Sequence, residues 1–282
     1  VPELPEVEII CQGLHQVTLN QEIWGGDVLL ERTIAHPLSV GEFLAPLKNA
    51  TITSWQRRGK YLLAQLTKLV PGDRGWLGVH LRMSGQLLWL NQEEPLQKHT
   101  RVRLFFQNSQ ELRFVDQRTF GKMWWVPASS APENIITGLK KLGPEPFSVD
   151  FSLEYLVGKL QKRQRAIKTV LLDQSLVAGV GNIYGDEALF LSGIRPETLC
   201  TALNLEQVQR IRTSIIQVLQ ASIEAGGTTF SNFLNIQGVN GSYGGVAWVY
   251  GRTGEPCRVC GTSIVRLKLA GRSSHLCPNC QH

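Results

Sequence analysis

Gly179-Val180-Gly181-Asn182-Ile183-Tyr184 decides how the second half of this 282-residue chain is read. Upstream, Leu153, Leu156, Val157 and Leu160 recur at helical spacing, and a second helix is expected from about Ala166 to Leu172. Downstream, helices are expected over Ile183 to Leu191 and over Leu205 to Ile223, the latter with Asn204 as its N-cap. Glycines at 179 and 181 let the backbone turn tightly and approach a ligand closely. Asn182 opens the next helix, whose first N–H groups are free to receive a phosphate, although a plain N-cap explains Asn182 alone equally well. Lys159, Lys162, Arg163, Arg165 and Lys168 lie just upstream, and with them a phosphate clamp becomes the better reading.

Beyond this helical segment comes a glycine-rich stretch at 237–245, and then four of the six cysteines crowd into the last 26 residues. Cys257 and Cys260 form one C-x2-C knuckle and Cys277 and Cys280 another, sixteen residues apart. This is the spacing of a four-thiolate zinc site; an iron centre is the competitor on ligand softness. Four protein ligands leave no open position for water, so one structural Zn2+ is expected and no metal chemistry. Residues 252–282 carry Arg252, Arg258, Arg266, Lys268 and Arg272 against the single acid Glu255, a balance that suits nucleic acid or a solvated charged surface. Cys11 and Cys200 are isolated and read as buried thiols.

The first half reads as strands: Ala50 to Trp55, Tyr61 to Leu66, Trp76 to Leu81, Val102 to Gln107 and Glu111 to Val115, the last two joined by a hairpin at Asn108-Ser109. That spacing predicts an antiparallel sandwich or barrel, preceded by an amphipathic helix over about Pro5 to Gln16. Pro127, Ser129, Ser130 and Pro132 mark the end of this region near residue 130. Composition sets the outer limits. The chain is 43% hydrophobic with net charge +6 and pI near 9.1, which fits a polyanionic partner. No apolar run reaches membrane-spanning length and the acidic start lacks a signal peptide's basic region, so a cytoplasmic protein is expected.

The start of the chain has its own chemistry. In Val1-Pro2-Glu3-Leu4-Pro5-Glu6-Val7-Glu8, removal of residue 1 would leave Pro2 as a secondary amine able to attack an anomeric carbon and form an iminium. Glu3 then sits beside it as a proton donor or acceptor. An ordinary helix start, proline followed by acids, is the alternative for these residues on their own. Arg57-Arg58-Gly59-Lys60 reads as a basic, solvated turn, and Met83 and Phe120 as core residues. Exposed together, however, Met83, Arg118 and Phe120 suit filling the gap left by an extruded base.

Taken in order, these motifs carry a resemblance. Pro2-Glu3-Leu4-Pro5-Glu6-Val7-Glu8, Arg58-Gly59-Lys60, His80-Leu81-Arg82-Met83-Ser84-Gly85, Asp116-Gln117-Arg118-Thr119-Phe120-Gly121, Gly179 to Tyr184, and the four-cysteine finger enclosing Gly271-Arg272 resemble the formamidopyrimidine-DNA glycosylases, bacterial repair enzymes of the helix–two-turn–helix family. The resemblance implies an α+β multidomain fold: an N-terminal catalytic β-sandwich with flanking helices (1–130), a linker (131–150), a helix–two-turn–helix domain (151–236), a flexible loop (237–245) and a zinc-finger β-hairpin (246–282). It implies double-stranded DNA containing oxidised bases as partner, and a monomer is expected. Pro2 would be the Schiff-base nucleophile, Glu3 would protonate the sugar ring oxygen, and Glu6 would support it. Lys60, Asn182 and Arg272 would grip phosphates, with Lys60 and Arg272 also donating protons. Met83, Arg118 and Phe120 would enter the base stack, Arg118 facing the orphaned cytosine, while His80 and His99 would touch the DNA backbone. β- and δ-elimination would then cut the strand on both sides of the sugar.

The chain departs from the family pattern at three points. Val1 stands where the family has Met; a GTG start codon accounts for it, whereas a retained Val1 would leave Pro2 a non-nucleophilic amide. Arg101 replaces the second histidine of the family's K-H-x-H, and Gly185 replaces a small Ala or Val. Three competing readings remain: an endonuclease VIII-like enzyme acting on oxidised pyrimidines, a damaged-DNA binder without chemistry, and, weakest, a zinc hydrolase.

Overall fold

The computed structural model describes residues 1–68, 74–228 and 234–282, and every candidate site residue falls within them. The chain folds into two compact units. The first comprises residues 1–2, 6–140 and 226–241, and the second residues 3–5, 141–225 and 242–282.

In the first unit, α1 (Leu4–Thr18) is followed by β1 (Glu22–Ile23), β2 (Gly25–Val28), β3 (Ile34–His36), α2 (Val40–Leu47), β4 (Ala50–Arg58), β5 (Tyr61–Thr67), β6 (Arg74–His80), β7 (Gly85–Asn91), β8 (Thr100–Phe105), β9 (Gln110–Asp116), β10 (Lys122–Pro127) and α3 (Pro132–Ile135). Among the described residues the strands make one sheet in the order β1-β4-β5-β6-β10-β3 and another in the order β2-β8-β9-β7. One apolar cluster joins Leu62, Leu77 and Val79 of the first sheet to Leu87, Val102 and Phe114 of the second, which is the sandwich expected. The expectation of a wholly antiparallel sandwich needs one correction: β3 pairs parallel with β10, because a crossover brings it to the far edge. α1 covers this core with Val7, Ile10, Cys11 and Leu14, the period-3.6 stripe visible in the sequence. Burial pushes the Cys11 thiol up to about 12, so it behaves as an inert apolar residue. Asn108 and Ser109 both adopt positive φ, 56° and 55°, as a tight two-residue hairpin requires.

β8 alternates buried and half-buried positions, but β9 is buried on both faces and carries two fully buried charges, Glu111 and Arg113. Arg113 pairs with Glu111 and donates to the carbonyl oxygens of Glu94 and Pro95 and to Gln97 Oε1. Arg103 completes the cluster at 2.5 Å from Glu111. A planar guanidinium with five donors thus straps the loop that ends at His99 onto the sheet.

The second unit holds α4 (Leu153–Leu160), α5 (Ile167–Leu171), α6 (Asn182–Ser192), α7 (Leu205–Glu224) and the antiparallel hairpin β11 (Val265–Leu269) and β12 (Arg272–Leu276). Asn204 caps α7 in a reciprocal capping box with Gln207. α7 buries Val208, Ile211, Ile215, Val218 and Leu219, the amphipathic stripe expected. α6 is different: nearly all of its residues are buried, including Asp186 and Glu187. No described helix is long and apolar enough to cross a membrane.

The units divide the chain differently from the expected domains. Residues 131–140, read as linker, contain α3 and belong to the first unit, and 141–150 belong to the second. Residues 237–241 belong to the first unit, where neighbouring Ile236 packs in the core and accepts the Trp89 N–H at 2.8 Å. Tyr243 is buried in the second unit.

Candidate functional site

In the second unit the site is organised by carboxylates around α6. Glu3 is 2% exposed, and its carboxylate accepts the N–H groups of Gly181 (2.8 Å), Ile183 (2.8 Å) and Tyr184 (3.4 Å). These are the orphan donors of a helix N-terminus, and the positive end of the helix dipole favours the anion there. Two expectations change as a result. Gly181, not Asn182, is the N-cap residue, and the N–H groups read as a phosphate seat are occupied by the chain's own Glu3. The two glycines follow from the same contact. A Cβ at Gly181 would lie 2.6 Å from Glu3 Oε1, and one at Gly179, whose φ is +94°, would lie 2.6 Å from Leu4 Cβ. The glycines admit the amino-terminal segment, where the sequence reading placed an external ligand.

Asn182 occupies the first turn of α6 and its side chain bonds Tyr250, whose hydroxyl pKa burial raises. Lys168, expected in the basic clamp, is 2% exposed and committed elsewhere. Its ammonium lies 2.7 Å from Asp186 Oδ1 and donates to Ser273 O and Ser274 Oγ at 2.7 Å each. Burial lowers the Lys168 pKa, and Asp186 opposes that shift without cancelling it. Asp186 Oδ2 accepts the His275 N–H at 2.9 Å and lies 3.0 Å from His275 Nδ1. Glu187 accepts from Trp248 N (2.8 Å), Val249 N (2.9 Å), Tyr250 N (2.9 Å) and the Tyr243 hydroxyl (3.1 Å). Burial nevertheless raises its pKa. Successive acids of one helix thus hold the segment before the zinc hairpin and strand β12 itself. Arg272 is the first residue of β12, presented exposed beyond the Ala270-Gly271 turn. The sequence reading passed over Asp186 and Glu187.

The four cysteine sulfurs lie within 4.8 Å of one another, with Cys257–Cys280 at 3.8 Å and Cys260–Cys277 at 3.5 Å. A tetrahedral Zn–S site with bonds near ~2.3 Å has sulfurs about 3.8 Å apart, so Cys257, Cys260, Cys277 and Cys280 fit one structural zinc ion.

The first unit contributes Pro2, which is buried, and Lys60 at the β4–β5 turn after Gly59 in the left-handed region. Arg57 of this turn, read as solvated, pairs with Glu8 at 2.6 Å. Glu6 accepts the Thr228 N–H at 3.0 Å. Met83 (37% exposed) and Phe120 (50%) both stand out from the core, and the Arg118 guanidinium lies 5.3 Å from the centre of the Phe120 ring. His80 is half-buried at the end of β6. Burial, and after it the charges of Arg82 and Lys60, hold its pKa down to about 3, so the ring is neutral. Its Nδ1 accepts the Arg82 N–H at 3.0 Å, and the ring packs edge-on against Tyr61. His99 lies 3.2 Å from Arg101 through Nδ1, and Arg101 Nε donates to Asp116 O at 2.8 Å. The arginine that replaces the family's second histidine therefore ties His99 to the loop that carries Arg118.

A strand-rich unit that exposes Met83, Arg118 and Phe120 and a helical unit that ends in a four-cysteine hairpin make this an α+β protein of the zinc-hairpin kind. Residues 1–123 match the formamidopyrimidine-DNA glycosylase N-terminal domain, 142–233 its H2TH domain, and 254–282 the zinc finger found in FPG and IleRS. The formamidopyrimidine-DNA glycosylase of Nostoc punctiforme is 68% identical over all of this chain and 96% of its own length, and that of Acaryochloris marina is 64% identical over 100% and 99%. Lactococcus lactis Fpg in complex with abasic-site DNA superposes with a TM-score of 0.90 at 34% identity over 99% of both chains. The same protein with Fapy-dG DNA gives 0.89 at 35% identity, covering 99% of this chain and 100% of that one. The chain belongs to the formamidopyrimidine-DNA glycosylase family.

Proposed function

We propose that this protein is a base-excision-repair DNA glycosylase and AP lyase that removes oxidised purines, 8-oxoguanine and formamidopyrimidines, from double-stranded DNA. The observation that carries the reading is the seating of Glu3. The residue next to Pro2 has its carboxylate held by three N–H groups of α6, which gives an acid of fixed position beside a potential nucleophile. With residue 1 removed, the Pro2 nitrogen attacks C1′ and the damaged base departs with the C1′–N bond pair. Glu3, an anion in its helix seat, takes the proton that the Pro2 nitrogen carries after attack and delivers it to the ring oxygen as the sugar opens and the iminium forms. Lys60 and Arg272 bind flanking phosphates and donate protons in the β- and δ-eliminations, while Asn182 and His99 hold the backbone. Met83, Arg118 and Phe120 fill the vacated stack, which offsets part of the few kcal/mol that extrusion costs. The zinc supplies no chemistry and fixes the hairpin that carries Arg272.

In this reading 1–130 is the catalytic region, 151–236 the helix–two-turn–helix region and 246–282 the zinc hairpin, with 237–245 as a loop near the extruded base. The protein works as a cytoplasmic, nucleoid-associated monomer.

Borohydride trapping on a duplex with one 8-oxoguanine opposite cytosine tests this. The expected result is a covalent adduct mapping to Pro2 in protein whose intact mass lacks residue 1. Mapping to Lys60 would reassign the nucleophile. A preference for thymine-glycol duplexes would move the chain to the endonuclease VIII side, and binding without an adduct would leave a binder.

A further inference from the structure

Each of the two exposed loops of the first unit that carry the wedge contains a non-glycine residue in the left-handed region. Arg82 has φ +56° and Thr119 has φ +60°. Neither residue type favours that conformation, and for a β-branched threonine it is a genuine outlier that its surroundings must hold in place. The Arg82 conformation is held locally, by its own N–H on His80 Nδ1. Thr119 lies between Arg118 and Phe120, and what holds it comes from elsewhere in the chain. Arg32 Nη2 donates to Thr119 Oγ1 at 2.7 Å across 87 residues, and Lys122 Nζ closes the ring by donating to the Arg32 carbonyl oxygen at 2.5 Å. The ends of the loop are fixed separately. Asp116 accepts the Gly121 N–H at 2.8 Å and the Ser84 hydroxyl at 2.5 Å, and Ser84 Oγ accepts the Arg118 N–H at 2.9 Å.

The backbone at both ends of the loop is therefore tied to Asp116, while its middle depends on Arg32. We infer that Arg32 is a specificity-determining positioning residue: by pinning Thr119 in the left-handed conformation, it gives Arg118 one fixed presentation to the base opposite the lesion. This rests on the assignment of Arg118 to that base. The neighbouring guanidinium of Arg118 leans on the Phe120 ring, so a rotation at Thr119 moves both tools together. Arg32 touches neither DNA base nor sugar in this scheme. Its effect passes through Thr119, and the left-handed strain of that residue is what makes the latch necessary.

Single-turnover excision of 8-oxoguanine opposite cytosine and opposite adenine tests the inference, alongside strand cleavage at a pre-formed abasic site. Arg32→Ala is expected to narrow the cytosine-to-adenine ratio about three- to tenfold, the worth of one hydrogen bond, with abasic-site cleavage unchanged. Asparagine tolerates the left-handed region, so the double variant Arg32→Ala/Thr119→Asn is expected to recover the ratio. An unaltered ratio in Arg32→Ala, where Arg118→Ala abolishes discrimination, overturns the inference. So does a uniform loss of affinity for every duplex with a shallower salt dependence, which would make Arg32 a phosphate contact. If Arg118→Ala itself leaves the ratio unchanged, the assignment of Arg118 to the opposite base fails instead.

Discussion

α6 and the loop 116–121 are both anchored by buried carboxylates, and they differ in how the side chains beyond the anchor are held. Around α6 the acids Glu3, Asp186 and Glu187 are buried, and each meets two or more donors. Around the loop, Arg118 and Phe120 are exposed, and one latch, Arg32 to Thr119, lies on the surface. A buried polar cluster is nearly all-or-none, because a group stripped of its partner has no water to turn to. A surface latch fails by degrees, since solvent replaces each lost bond. The second unit accordingly holds Glu3 and strand β12 through buried contacts, whereas the middle of the loop is held by one contact that solvent can replace.

The largest effect that would sharpen this contrast is at Lys168. Lys168→Met leaves Asp186 buried without its cation and is expected to cost about 3–5 kcal/mol of stability, measured by urea unfolding. Lys168→Met/Asp186→Asn should regain much of that loss. A cost below about 1 kcal/mol, the range of exposed pairs, would erase the distinction drawn here. Next comes Gly181→Ala, whose methyl displaces the Glu3 carboxylate from its three donors. Base excision should fall about 100-fold, as expected of an ångström-scale misplacement, while DNA binding persists. Near-normal excision would mean that Glu3 does not need its helix seat.

A further effect lies on the loop side and depends on pH. The folded-state pKa of His80 is depressed to about 3, below its ordinary value of about 6.5. Its contribution to stability is therefore complete above pH 6.5 and is lost as pH falls from there toward 3. Protonation at Nδ1 would also remove the acceptor of the Arg82 N–H. Unfolding free energy should decline over that range with a slope of at most about 1.4 kcal/mol per pH unit, and His80→Gln should flatten it. Identical curves for the two proteins would show that His80 does not hold the loop.

What the sequence disclosed follows the same division. The four cysteines were legible because metal ligation imposes a spacing that few other constraints produce. The stripes of α1 and α7 were legible because one buried face repeats every 3.6 residues. α6 was recognisable as a helix, but its buried acids could not be told from solvated ones. Their partners, Lys168, Tyr243, Trp248, Val249, Tyr250 and His275, lie elsewhere in the chain, and only folding brings them together. Gly179 and Gly181 were rightly read as places of close approach and wrongly assigned an external ligand, since a phosphate and a carboxylate make the same demand on a helix N-terminus. Arg82 and Thr119 gave no signal, because neither residue type advertises a left-handed turn.

The clasp between α6 and β12 has a consequence for protein engineering. A zinc hairpin is usually treated as a cassette that its metal alone makes self-sufficient. In this protein Lys168 and Asp186, both outside the hairpin, saturate the β12 groups at Ser273, Ser274 and His275. A graft of residues 254–282 alone onto a foreign scaffold would carry its metal but arrive with those groups unmet. A transplant boundary that includes α5 and α6 would travel intact.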